Sequence, residues 1–345
     1  MRVVLFKLNH LGDNIAFLPA AQALRRSFPD WQLTVLTTPS AAELYGGPVG
    51  PQEVLTCPKL SFDKSYRRPW ELARWVWAVR RRRPGACLLA FDQSNAAHAV
   101  ARFSGARVRI GANPGRIRVG GSLTEDIPIP EDARPATWNW RIARALARAF
   151  GGGADWPDGP PQPDLRHLLK GATAPAGARR RVVVHAGASR ELNQWPPQRF
   201  ASVASALSRD FDVVWVEHGD GTGSAPTGAV AARVTSLGEL ARQLAGADLF
   251  LGNNSGPMHL ANALGRPGVA VTGPTASGWD PYWVTDRWTA LRHPNLHCAP
   301  CERLTEPVQG CANRASPMAC MTYWTEQMVE AACRLKLGRA PARAP

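Results

Sequence analysis

Residues 251–265 read LGNNSGPMHLANALG and gather two amides, a hydroxyl and an imidazole around one turn. The apolar run that ends at Leu251 suits a buried parallel strand. The chain then turns between Gly252 and Gly256 and enters a helix with Pro257 in its first turn. A strand, a small-residue turn and a helix N-terminus together favour an anion. The first helical amides lack partners, and the macrodipole is positive there. Asn254, Ser255 and Gly256 sit at that spot, with His259 one turn further in. Asn254 and Ser255 are also good N-cap types, so an ordinary capped helix accounts for the turn equally well.

Two further stretches have the same form. Residues 185–196, HAGASRELNQWP, follow an apolar strand and offer Ser189 and Arg190 to phosphate oxygens. The plainer reading is a polar loop that caps the helix beginning near Pro197. At the N-terminus, Leu11-Gly12-Asp13 follows the first strand. Gly12 lets backbone approach a ligand, and a carboxylate at the end of a strand can take a proton from a hydroxyl. By spacing alone, Asp13 is more simply the N-cap of a helix starting near Ile15.

These turns need a scaffold of strands and helices, and the pattern supplies one. Apolar strand runs at 2–8, 32–36, 86–91 and 107–110 alternate with helix patterns at 15–28, 70–83, 95–103 and 137–150. Such alternation predicts a parallel, doubly wound α/β sheet. It restarts at 181–185 and continues through 268–271. The expected organisation is a first Rossmann-like domain (1–150), a Pro-, Gly- and Ala-rich linker (151–180) and a second such domain (181–315). A final helix (316–337) returning to the first domain and a disordered tail (338–345) follow. The two domains are expected to face each other across a cleft, with ligands at the carboxyl ends of the strands.

Composition narrows the class. The chain has 345 residues, 45% of them hydrophobic, and a formal charge of +14. No apolar run is long enough to span a bilayer, and the first residues do not form a signal peptide. A cytoplasmic location is expected, and seven cysteines then stand as thiols or metal ligands. The excess charge suits acidic partners such as phosphorylated sugars or an anionic membrane face. With 36 Arg against 5 Lys, coding bias is a competing cause. The basic residues read as spread along the chain, with no nucleic-acid motif. The Arg- and Trp-rich stretch 67–83 suits a phosphorylated acceptor or an anionic membrane surface. It equally suits a solvated helix face with Trp75 and Trp77 in the core.

Taken in order, these segments resemble glycosyltransferase family 9, the ADP-heptose lipopolysaccharide heptosyltransferases. The matching pieces are Leu11-Gly12-Asp13 with Pro19-Ala20, LLAFDQS at 88–94, HAGAS through Trp195-Pro196, Leu237-Gly238-Glu239-Leu240, and NSGPMHLA at 254–261. The resemblance implies a GT-B enzyme, with the acceptor on the first domain and the nucleotide-sugar on the second. It implies inverting transfer with no catalytic metal or other required cofactor. Asp13 falls on the family's base, with Gly12 and Asn14 on the acceptor side. Ser255, Gly256, His259 and Ser189 fall on the diphosphate, and Thr235 and Ser236 near the nucleoside. Two positions depart from the family pattern. Asn193 stands where a Lys is usual, with Arg190 a candidate substitute, and Asn254 stands where an Asp is usual.

The implied reaction moves heptose from ADP-heptose to a lipopolysaccharide core, at or near the inner membrane surface. A same-family transferase for a protein or another surface glycan, and a non-catalytic sugar-nucleotide binder, are the alternatives. Finally, Cys298, Cys301, Cys311 and Cys320 have spacings that suit a structural zinc or iron site. A cysteine-lined loop without metal is the other reading.

Overall fold

The structure, a computed structural model, describes residues 1–130, 133–172, 179–217, 223–302 and 308–339. It divides into two compact units, Met1–His167 and Leu168–Pro345.

The first unit is built on β1 (Arg2–Lys7), β2 (Gln32–Thr37), β3 (Glu53–Thr56), β4 (Ala86–Leu89), β5 (Val108–Gly111) and β6 (Glu125–Asp126). All pair in parallel, in the order β3-β2-β1-β4-β5-β6. β1 and β4 are central, and helices cover both faces. Their near-continuous apolar sequence reflects that double burial. The helices are α1 (Leu11–Ser27), α2 (Lys59–Ser65), α3 (Pro69–Arg80), α4 (Asn95–Phe103) and α5 (Pro135–Ala149).

The second unit repeats the plan with β7 (Arg181–His185), β8 (Asp212–Glu217), β9 (Val230–Arg233), β10 (Leu249–Asn253), β11 (Gly268–Val271) and β12 (Trp288–Leu291). Its order is β12-β11-β10-β7-β8-β9, again all parallel. Its helices are α6 (Pro197–Leu207), α7 (Leu237–Ala245), α8 (Gly256–Ala263), α9 (Ala319–Thr322) and α10 (Glu326–Arg339). The expected α/β class with two doubly wound sheets is what the chain adopts.

Several boundaries differ from expectation. Residues 151–167, read as linker, belong to the first unit. The Trp156 indole packs on Trp140 at 4.6 Å and donates to Ser27 Oγ at 2.8 Å. Gln22 exchanges two hydrogen bonds with the Asp164 backbone, at 2.7 and 2.9 Å. Pro and Gly composition marks turns there, and the tryptophan anchors them. Of the remaining linker, 173–178 lie outside the described residues.

The closing helix is shorter than expected and starts at Glu326. It packs inside the second unit. Val329, Cys333 and Leu337, one turn apart, are buried in the core with Trp195, Phe200 and Trp215. The helix runs on through Gly338 and Arg339, and the rest of the expected tail, 340–345, lies outside the described residues. On α3, Trp75 stacks edge-on against Phe62 at 5.4 Å, but Trp77, also expected in the core, is 62% exposed.

Candidate active site

In an open parallel sheet, ligands gather where the strand order reverses, beyond the carboxyl ends of the strands. In the first unit that point lies between β1 and β4, and in the second between β10 and β7. The segment that follows β1 carries Leu11-Gly12-Asp13, at the start of α1. The turns after β7 and β10 carry the other two stretches singled out above.

The helix after β1 begins four residues earlier than its apolar pattern suggested. α1 starts at Leu11, with His10 at its N-cap. Asp13 is therefore not the cap. It lies in the first turn, where the helix dipole favours a carboxylate, and its side chain keeps 14% exposure. Behind it stands Lys7, the last residue of β1 and fully buried. The Lys7 ammonium donates to the Phe91 carbonyl at 2.8 Å and lies 3.7 Å from Asp13 Oδ1. Burial pulls the Lys7 pKa down, and the Asp13 and Asp92 charges oppose it.

The segment after β4 closes the floor. Asp92 adopts a left-handed backbone, φ 62°, and its carboxylate pairs with Arg116. Burial pushes the Asp92 carboxyl pKa up, and Arg116 opposes that shift. Gln93 accepts from the Leu8 amide at 3.1 Å and donates to Asn9. Lys7 and Asn9 were not singled out from sequence as site residues, and Asp92 and Gln93 only as part of the LLAFDQS segment. The available signal was a lysine closing an apolar strand.

Gly12 is buried in the first turn of α1. Asn14, expected on the acceptor side, is committed to the fold instead. Its amide donates to the Asn9 and His10 carbonyls at 3.0 and 2.9 Å. Its oxygen accepts from Thr37 Oγ1 at 2.8 Å and Tyr45 Oη at 2.7 Å. Two donors and two lone pairs are all used, so Asn14 locks the turn that presents Asp13.

In the second unit the two loops are joined by Asn253, fully buried at the end of β10. Its oxygen accepts from the Trp195 amide at 2.9 Å, and its amide donates to the Ala186 carbonyl at 2.8 Å. Gly252 beside it is obligatory. A Cβ there would lie 2.8 Å from the His185 carbonyl oxygen and 2.6 Å from the Phe250 ring. Ser255 is the N-cap of α8 but makes no side-chain cap, and its hydroxyl donates weakly to the Asn253 carbonyl at 3.4 Å. Gly256 and Pro257 open the helix, and the His259 ring lies 6.1 Å from that of Trp279. Ser189 is exposed in the loop after β7. The α8 N-terminus, opened by Ser255, Gly256 and Pro257, can take an anion.

Asn254 is 5% exposed. Its amide donates to the Trp279 carbonyl and to Asp280 Oδ1, both at 3.3 Å. Arg292 grips the same Asp280 through both carboxylate oxygens, at 2.6 and 3.0 Å. The residue that departs from the family pattern is thus a donor between two acceptors.

Three expectations shift. Arg190 does not stand ready for a phosphate: its guanidinium pairs with Glu302 and donates to the Val308 carbonyl at 2.6 Å. The Glu302 carboxylate is a stronger local attraction than an open loop. Thr235 and Ser236 are engaged at the start of α7. Ser236 and Glu239 form a capping box, and Thr235 donates to Glu239 through amide and hydroxyl. Asn193 sits in a short 3-10 turn, and its buried Oδ1 has no hydrogen-bond partner among the described residues.

Cys298, Cys301, Cys311 and Cys320 line one cavity of about 30 Å³, roomy for an ion or a water and too small for a sugar. The Met318 amide donates to Cys311 Sγ at 3.4 Å. Burial, then the neighbouring thiols, push the Cys320 pKa up to about 11. The donor chemistry suits zinc or iron. Among the described residues, however, no group of three metal-ligating side chains is assembled to hold an ion.

Comparison with known proteins agrees on fold and family. Residues 86–312 match glycosyltransferase family 9 (heptosyltransferase). A 75-residue segment is 36% identical to lipooligosaccharide heptosyltransferase 2 of Campylobacter jejuni subsp. jejuni serotype O:2, covering 22% of this chain and 23% of that protein. The chain thus spans about a quarter of the length of that relative. The E. coli heptosyltransferase WaaC with ADP-2-deoxy-2-fluoro heptose superposes with a TM-score of 0.70 at 17% identity, over 97% of this chain and 99% of that one. E. coli ADP-heptose lps heptosyltransferase II gives 0.70 at 17% identity, over 98% and 99%. These likenesses show the two-unit GT-B fold.

Proposed function

We propose, from the premise that the chain belongs to glycosyltransferase family 9, that it transfers heptose from ADP-heptose to a lipopolysaccharide core acceptor. The observation that carries this reading is Asp13, a partly exposed carboxylate in the first turn of α1 with a buried ammonium behind it. Asp13 takes the proton of the acceptor hydroxyl as that oxygen attacks the anomeric carbon. The bond from that carbon to the diphosphate breaks, and configuration inverts. The charge arriving on the leaving nucleoside diphosphate is met by the α8 N-terminus at Ser255 and Gly256, with His259 and Ser189. No metal takes part in the chemistry. The acceptor is held by the first unit and the donor by the second, and the enzyme works in the cytoplasm. The names of the relatives support heptose and ADP as the donor parts.

The test is product formation from ADP-heptose and a heptose-free core acceptor, beside a panel of other nucleotide-sugars. Turnover with ADP-heptose is expected. Turnover only with a different donor would refute the heptose assignment. Donor binding without any turnover would favour a non-catalytic binder, the reading that Asn193 and Asn254 motivate. A melting-temperature panel reads donor binding directly, because a ligand of the folded state stabilises it by mass action.

The four-cysteine cavity carries a second, structural proposal. Cys298, Cys301, Cys311 and Cys320 would hold one zinc or iron as thiolates, fastening the loop that precedes α9. Elemental analysis of purified protein is expected to find close to one equivalent. Less than about a tenth of an equivalent of zinc plus iron would sink it, as four thiolates drawn onto one ion hold such metals too tightly to lose them in purification.

A further inference from the structure

The charge of the chain is not evenly spread. Residues 59–83 hold nine cationic side chains against two carboxylates, half of the chain's formal excess of +14. Both carboxylates are paired within the stretch, Asp63 with Lys59 and Glu71 with Arg68.

The structure adds what the sequence left undecided. α3 turns Leu72, Trp75, Val76 and Val79 inward against Phe62 and the core around α4. Its opposite face carries Trp70, Ala73, Arg74, Trp77, Arg80 and Arg81, all exposed and at helical spacing. Trp70 is 71% exposed and Trp77 62%. Leu60, on neighbouring α2, is 65% exposed. The Arg81 guanidinium lies over the Trp77 ring, 5.0 Å from its centroid. Two indoles left in water on one helix face are a standing penalty unless something covers them.

We propose that this face of α3 docks on an anionic phospholipid bilayer. Indole is the side chain that prefers the boundary between headgroups and acyl chains. Arginine is the partner that holds such a helix to negative headgroups, and a short helix with both on one face lies in the interface plane. Charge complementarity selects this occupant over an apolar protein groove, which would leave the arginines unmatched. Among the described residues no helix is long and apolar enough to cross a membrane, so the contact is a surface one. The inference stands on this face alone and not on the proposed reaction.

The experiment is co-sedimentation of the full chain with vesicles of phosphatidylcholine alone or mixed with phosphatidylglycerol. Binding is expected only with phosphatidylglycerol, weakening as salt rises and the Debye length shortens. The double variant Trp70→Ser, Trp77→Ser, and separately Arg74→Glu with Arg81→Glu, should each lose about tenfold or more in partition. Unchanged melting temperatures show that both variants still fold. In the unaltered protein, brominated phosphatidylglycerol should quench tryptophan fluorescence. Absence of quenching, equal binding to both vesicle types, or unchanged partition in both variants would overturn the proposal. So would tighter binding to a single-stranded oligonucleotide than to phosphatidylglycerol vesicles at the same salt, lost in the Arg74→Glu, Arg81→Glu variant, which would make nucleic acid the partner.

Discussion

Asp13→Asn is expected to lower kcat by about 10²- to 10⁴-fold, the usual contribution of a positioned general base, with donor affinity unchanged. Donor contacts are proposed in the second unit, and Asp13 lies in the first, so kcat and donor Kd should separate. One complication follows from the geometry. Lys7 is wholly buried, and Asp13 is its counter-ion at 3.7 Å. An amide at position 13 leaves a buried ammonium with a neutral neighbour. Breaking a fully buried pair costs about 3–5 kcal/mol. Asp13 retains 14% exposure, and water screens part of that, so about 1–3 kcal/mol of stability should go. Adding Lys7→Met removes the stranded charge. The double variant should regain stability, by thermal melt, without regaining activity. If Asp13→Asn keeps kcat within about tenfold of the parent, Asp13 is not the base.

The second large effect is expected from Asn254→Asp, which restores the residue usual in the family. It should destabilise the second unit by about 1–3 kcal/mol, the range for leaving a buried polar group unmatched. Asn254 donates to the Trp279 carbonyl and to Asp280 Oδ1, each at 3.3 Å. A carboxylate there faces two acceptors with nothing to give. Arg292 does not rescue it, because its guanidinium already spans both oxygens of Asp280 and the Thr275 carbonyl. Combining Asn254→Asp with Asp280→Asn returns a donor to the pair and should recover most of the loss. A melt that shows the single variant as stable as the parent would mean that these bonds do not hold the loop. The departure at 254 is thus coupled to Asp280, and the pair should be read together.

Much of the scaffold was legible because it is written locally. RVVLFK, RVVVH and LFLGN are apolar runs of strand length, each followed by a small-residue turn. Local pattern also located the three turns that follow β1, β7 and β10. It misjudged polar residues whose partners lie far along the chain. Asp13 looked like a cap because nothing in its own segment shows that His10 starts the helix. Residues 151–167 looked like linker because much of their hold on the first unit reaches groups far along the chain, Trp156 bonding Ser27 and the Asp164 backbone bonding Gln22 among them.

By itself, then, the sequence determined two doubly wound sheets and the order of their signature turns, since hydrophobic period and turn chemistry act between near neighbours. Only the tertiary structure decided which polar side chains belong to the fold. Asn14 is saturated by Thr37 and Tyr45, Asn253 ties Ala186 to Trp195, and Arg190 is drawn to Glu302. It also decided that Trp70 and Trp77 face outward. Each of these depends on groups that meet only when distant segments pack. A hydrogen bond or an exposed ring across such separations leaves no trace in periodicity.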